Sequence, residues 1–185
     1  MLIGITGRLA AGKETLTGFF RDKDFKYYES SRVLREELEK RNIEITRTNM
    51  QNLGDKWRRE YGPGALMKKL LEKINPNENC IIDSLRNAGE ADYLRQNVQD
   101  FVLIAITADQ KLRWERMQKR GKPSDPKTWK EFLIVDERDY FDANNPMGQQ
   151  VRECIKKADY LIINKDINES MKKIEEIWEE IKERC

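Results

Sequence analysis

The sequence predicts an α/β fold: a parallel five-stranded sheet with helices on both faces. Three observations carry this. Short apolar runs recur with little polar alternation, as strands covered on both faces require. Segments with helical spacing separate them. The first run leads through a glycine-rich turn into a helix, and strands that alternate with helices build parallel sheets.

Leu2-Ile3-Gly4-Ile5-Thr6 is the first strand, and Leu16-Thr17-Gly18-Phe19-Phe20 belongs to the first helix. Between them lies Gly7-Arg8-Leu9-Ala10-Ala11-Gly12-Lys13-Glu14-Thr15, a phosphate-binding loop arrangement. Gly7 and Gly12 let the backbone curl with its N–H groups pointing inward, where a β-carbon would obstruct. The helix adds the positive end of its dipole. Lys13 places a point charge against the outer phosphates of a nucleotide. The strict motif has a hydroxyl after the lysine; here that position is Glu14, and the hydroxyl comes at Thr15.

Phe25–Tyr28 is the second strand. Val33, Leu34 and Leu38 recur at helical spacing, and Thr46–Tyr61 is a further helix stopped by Gly62-Pro63-Gly64. Ala65–Ile74 is another. About 45 residues of mostly helix thus separate the second strand from the third, too long for a plain crossover and indicative of an inserted functional region. Cys80–Asp83 is the third strand and ends in a carboxylate. Phe101–Ile106 is the fourth and the most continuously apolar. Asp109 caps a helix that runs to about Lys119. Arg120–Pro126 is a polar loop rich in helix breakers. Thr128-Trp129-Lys130-Glu131 is a capping box, and Asn144-Asn145-Pro146 breaks the helix it opens. Tyr160–Ile163 is the fifth strand. Ile167–Arg184 closes the chain as an amphipathic helix with Met171, Ile174, Ile177, Trp178 and Ile181 on one face. Ligands of such sheets bind beyond the carboxyl ends of the strands. Gly7–Lys13, Asp83 and Asn164 fall there.

Bulk properties exclude several classes. The formal net charge is only +2, which gives no electrostatic signature of a nucleic-acid or membrane partner. There is no histidine, so histidine bases and histidine metal ligands are excluded. Cys80, Cys154 and Cys185 are scattered without zinc spacing and read as reduced thiols. No apolar run approaches about 18 residues and no leader precedes the first strand, so a soluble cytoplasmic protein is expected, monomeric or homodimeric. A guanine-binding Asn-Lys-x-Asp is missed at Asn164-Lys165-Asp166-Ile167, where Ile167 stands in the place of the motif's aspartate. Asp22, Asp24 and Asp55 read as surface charges, and Trp57 and Trp129 as packing residues.

Four segments taken together carry a resemblance: Gly7–Thr15, Ile81–Asn87, Arg113–Gly121 and Ala158–Asn164. Over nearly its whole length the chain resembles the nucleoside monophosphate kinases of the P-loop class. Within them it is most similar to predicted nucleotide kinases related to dephospho-CoA kinase and to kinase-like domains of some deoxycytidylate deaminases. The resemblance implies a three-layer P-loop kinase fold. Its core would be residues 1–29, 76–119 and 147–185, with an acceptor-binding helical region at 30–75 and a small lid at 120–146. It implies ATP and Mg²⁺ as cofactors and small-molecule nucleotides as substrates.

The resemblance also assigns residues. The loop from Gly7 through Ala10, Ala11, Gly12, Lys13, Glu14 and Thr15 would bind the donor phosphates, with Lys13 catalytic. Asp83 would orient magnesium through water, and Thr15 would offer a hydroxyl. Ser31-Arg32-Val33-Leu34-Arg35 looks like an acceptor-site helix in which Arg35 grips the acceptor phosphate, assisted by Ser31. Asp83-Ser84-Leu85-Arg86 is similar to the segment whose arginine holds the same phosphate. Arg116 would stack on adenine, Arg120 and Arg138 would close over the transferring phosphoryl, and Asn164 would belong to the adenine loop. Arg59 stands with Arg47, Asn49, Gln51 and Arg58 as a candidate for the acceptor base pocket. The expected activity is transfer of the γ-phosphoryl of ATP to a nucleoside or deoxynucleoside monophosphate. The alternatives are a dephospho-CoA kinase-like enzyme and a catalytically weak nucleotide-binding regulatory module.

Overall fold

The computed structural model describes residues 1–121 and 125–184. Lys122, Pro123 and Ser124 of the predicted lid loop, and Cys185, lie outside the described residues. In chain order the elements are β1 (Leu2–Gly7), α1 (Lys13–Arg21), β2 (Lys26–Glu29), α2 (Arg32–Lys40), α3 (Arg47–Tyr61), α4 (Ala65–Leu71), β3 (Cys80–Asp83), α5 (Ala88–Asn97), β4 (Phe101–Thr107), α6 (Gln110–Arg120), α7 (Trp129–Tyr140), α8 (Val151–Lys156), β5 (Tyr160–Ile163) and α9 (Ile167–Ile181).

The strands form one sheet in the order β2-β3-β1-β4-β5, every pair parallel. Alternation along the strands divides the core. Ile3, Ile5, Ile81, Val102, Ile104 and Ile106 point to one face, where Leu16 and Phe20 of α1 and Ile174, Ile177 and Ile181 of α9 cover them. Leu2, Cys80, Ile82 and Leu103 point to the other, beneath side chains of α2, α3, α4 and α5. The predicted fold class is therefore the observed one. The predicted caps form as well: Asp109 caps α6, and Thr128 and Glu131 make the reciprocal box of α7. Thr46 adds a cap to α3, accepting from the Asn49 N–H.

Two helices were not legible. Helix α5 opens with a second capping box, Asn87 and Glu90, and buries only Glu90, Ala91 and Leu94. Helix α8 has 6 residues, too few to display a period. Cys80 and Cys154 are free and buried, and burial raises both thiol pKa values, that of Cys80 to about 11. No helix among the described residues is long and apolar enough to cross a membrane.

Candidate active site

The carboxyl ends of β1, β2 and β3 open onto one cleft of about 690 Å³. Its floor is the loop after β1. A β-carbon on Gly7 would lie 2.2 Å from the Ile106 carbonyl oxygen, so β4 forces glycine there. Gly12 has φ +106°, and a β-carbon would meet Asn164 Nδ2 at 2.1 Å. Ala10 also adopts a left-handed φ of 57°, a conformation held only by its surroundings.

Those surroundings are polar and buried. Asn164, 2% exposed, donates from Nδ2 to the Ala11 carbonyl (2.9 Å). Its Oδ1 accepts from Arg116 Nη2 and Ser170 Oγ, each at 3.0 Å. From the other side Arg113, 1% exposed, donates to the carbonyls of Leu9 and Ala108 and to both oxygens of Asp136. Asp136 also receives Arg8 Nε at 3.3 Å and Nη2 at 2.5 Å. Burial opposes ionisation of Asp136, but the bonds from Arg113 and Arg8 hold its carboxyl below the usual range.

Lys13 Nζ donates to the carbonyls of Gly7 and Arg8 at 3.3 and 3.4 Å. Burial and then the Arg86 charge lower its pKa to about 8, against the opposing pull of Asp83 and Asp139. The strand-end segment is held by three bonds. Leu85 N–H donates to the Ile5 carbonyl, Thr6 Oγ1 donates to the Leu85 carbonyl, and Ser30 Oγ donates to the Ser84 carbonyl. Ser84 itself is left-handed, φ 67°, which turns Arg86 toward the cleft. Asp83 Oδ2 accepts a long bond from the Tyr27 hydroxyl (3.4 Å), while Oδ1 is buried with no partner among the described residues. Burial and the Asp83 charge push the Tyr27 phenol up.

Asp83 and Thr15 line the same cleft, and Glu14 beside them is exposed. Among the described residues no three His, Cys, Asp or Glu side chains cluster as a metal cage. One orphaned carboxylate oxygen and one hydroxyl fit an ion that arrives on a nucleotide and keeps its waters, as magnesium does.

Ser31 and Arg35 line the cleft too, but both bind Glu29. Arg35 forks onto it at 2.5 and 2.7 Å, and Ser31 Oγ donates at 2.8 Å. The Arg35 bond chiefly holds the Glu29 carboxyl below its ordinary pKa. Arg86 Nη1 donates to Asp139 Oδ2 (3.0 Å) and Gln149 Oε1 (3.4 Å). Arg120 forks onto Asp125 at 2.9 and 2.7 Å. Arg116 lines the cleft with Nη1 buried and without a partner among the described residues.

Three predicted residues stand elsewhere. Arg59 is exposed and does not line the cleft; its neighbour Arg58, 5% exposed, does, bonded to Glu90 at 3.2 and 2.8 Å. Helical phase decides this, because α3 buries Leu53, Gly54, Trp57 and Arg58. Arg138 is exposed and does not line the cleft but a small adjoining hollow that shares Gln51, Asp55 and Gln149 with it, since α7 turns Phe132, Asp136 and Asp139 inward instead. Asn164 lies beneath the loop and not on the cleft wall. Asp55, read as a surface charge, lines the cleft and accepts from Asn145 Nδ2 at 2.8 Å. Reading α3 and α7 by phase would have flagged Arg58, Asp136 and Asp139.

A parallel sheet with a phosphate-binding loop at its cleft defines a P-loop kinase-like α/β protein. The comparisons agree at that level. The sequence profile of a family described as an AAA domain matches residues 3–140. A UPF0200 protein of Pyrococcus horikoshii is 31% identical across 98% of this chain and 97% of that protein. One from Methanocaldococcus jannaschii is 30% identical across 98% and 90%. The chain belongs to this AAA-domain family and to the UPF0200 proteins. Among solved structures, shikimate kinase from Bacteroides thetaiotaomicron matches with a TM-score of 0.58 at 14% identity, covering 98% of both chains. Shikimate kinase from Aquifex aeolicus gives 0.54 at 17%, covering 97% of this chain and 96% of that one. At such identities the likeness is one of fold.

Proposed function

We propose that this protein is an ATP- and magnesium-dependent kinase whose acceptor is a small phosphate-bearing molecule, a nucleoside or deoxynucleoside monophosphate. The observation that carries the reading is a single cleft shared by the phosphate-binding loop and by Arg86 and Arg120, which come from two other elements. Phosphoryl transfer needs positioning and charge neutralisation more than covalent chemistry from the protein. Lys13 and the loop N–H groups hold the outer phosphates of the donor. Arg120 adds a guanidinium at the lid end of the cleft, and Arg86 faces the acceptor. When bound, magnesium neutralises charge on the donor phosphates. Asp83 would hold that ion through water, with Thr15 near it.

Leu34, Ile45, Met50 and Leu66 give the acceptor side an apolar wall against which a base can pack. A monophosphate is already a nucleophile at neutral pH, which suits a chain without histidine. The unpartnered Asp83 oxygen supports a second reading, a dephospho-CoA-like hydroxyl acceptor with Asp83 as base.

The test is a steady-state assay with ATP, magnesium, a panel of monophosphates and dephospho-CoA. Turnover of a monophosphate is expected, and Lys13→Ala should lower it by about 10²-fold or more. Turnover of dephospho-CoA alone selects the second reading. Nucleotide binding without any turnover leaves the regulatory module.

A further inference from the structure

Asp139 has no role in the mechanism above, yet it is 3% exposed at its side chain and reaches residues of the cleft. Its Oδ2 accepts from Arg86 Nη1 at 3.0 Å and also from Arg47 Nη2. Arg47 opens α3 on the helical wall, whereas Arg86 follows β3 on the sheet side. One carboxylate oxygen thus gathers guanidinium groups from two walls, and both arginines line the cleft.

We propose that Asp139 is a positioning residue that yokes Arg47 and Arg86 into one anion site, the seat of the acceptor's phosphate. This rests on the kinase reading for the identity of the ligand.

Charge favours this pair over the one the sequence pointed to. Arg35 meets Glu29 fork to fork, so that pair is neutral and its donors are engaged. Arg47 and Arg86 share a single carboxylate, leaving a net positive charge between them. Arg86 keeps Nε and Nη2, and Arg47 keeps Nε and Nη1, without a partner among the described residues. Planar forks with unused donors, held at a fixed separation, suit the several oxygens of a phosphate monoester. The tether removes the rotamer freedom that two long side chains would otherwise lose on binding. The site also adjoins the phosphate loop, since the charges of Arg86 and Asp139 are both felt at Lys13. An acceptor without a phosphate would leave this charge unmatched. Asp139 is carried by α7, which lies within the predicted lid at 120–146, so acceptor binding and lid position share one carboxylate.

The experiment is calorimetric titration of the wild type, Arg47→Ala, Arg35→Ala and Asp139→Asn with the nucleoside monophosphates, inorganic phosphate and ATP. Arg47→Ala should weaken monophosphate binding about tenfold or more, the effect of one lost charge-assisted bond, and more than Arg35→Ala does. Its ATP affinity should stay within about twofold, below the effect of any such bond. Asp139→Asn should move monophosphate affinity in the same direction and raise KM more than it lowers kcat. Arg47→Ala binding monophosphate as tightly as the wild type would overturn the proposal. So would an Asp139→Asn protein that loses ATP and monophosphate affinity alike, since that is the behaviour of a purely structural lock. A wild type that binds neither monophosphate nor phosphate overturns it too. If Asp139→Asn does not fold, Arg47→Ala decides, because the Arg47 side chain is 43% exposed. Monophosphate binding that depends on Arg47, without turnover, would refute the kinase and keep the site; turnover indifferent to Arg47 does the reverse.

Discussion

Replacing Asn164 with alanine should loosen the phosphate loop from beneath. Three bonds disappear: to the Ala11 carbonyl, from Arg116, and from Ser170. Their consequences differ. Ser170 Oγ keeps the Asp166 carbonyl at 2.8 Å. The Ala11 carbonyl has no such substitute in its buried setting, and Arg116 already carries one unpartnered nitrogen. An orphaned buried group costs about 1–3 kcal/mol, so the substitution should destabilise the fold by about 2–4 kcal/mol. At this chain length the thermal midpoint falls by about 4–16 °C. Asn164→Asp retains the acceptor oxygen but sets a carboxylate against the Ala11 carbonyl, and it should be at least as damaging. The assay pairs thermal unfolding with ATP titration below the transition. ATP affinity should fall only modestly, through lost order in the loop. An unchanged midpoint together with a collapse of ATP affinity would refute the reasoning and make Asn164 a nucleotide-reading residue.

Lys13 should make nucleotide binding pH-dependent. Its pKa of about 8 lies below the ordinary 10.5, so between these values it is neutral when folded and charged when unfolded. The unfolded chain then binds more protons, and this group's contribution to stability rises with pH across that window. Phosphates favour the charged form, so ATP affinity should fall as pH rises through about 8, with proton uptake on binding; equal binding heats at pH 9 in buffers of different ionisation enthalpy would exclude it. Asp136→Asn breaks a buried ion pair and should cost about 3–5 kcal/mol, read by denaturant unfolding. Because Asp136 is held below its ordinary pKa of 3.8, its contribution is complete above that value and is lost as pH falls through the lower folded value. The variant's acid limb should therefore be flatter than the wild type's, and identical limbs would show that Asp136 does not carry that stability.

What the sequence determined on its own was chemistry with a local cause. Continuous apolar runs such as Phe101–Ile106 can be buried only as strands covered on both sides, so the parallel sheet was legible. Gly7 and Gly12 with Lys13 announce the loop as a local motif, although the groups that leave no room for a β-carbon there, the Ile106 carbonyl and Asn164, come from distant parts of the chain. Asp83 was legible because a strand-end residue faces the cleft wherever the sheet is parallel. Tertiary structure decided which guanidinium meets which carboxylate. Arg58 and not Arg59 faces inward because packing against Trp57 and Leu53 sets the phase of α3. Arg86 meets Asp139 across 53 positions of chain, and Asn164 meets Ala11 across 153. Such pairings depend on where whole helices lie, and a helix's position is set by the summed burial of its apolar stripe and not by its charges. The neutral fork of Arg35 on Glu29 and the shared carboxylate of Arg47 and Arg86 are consequences of that placement.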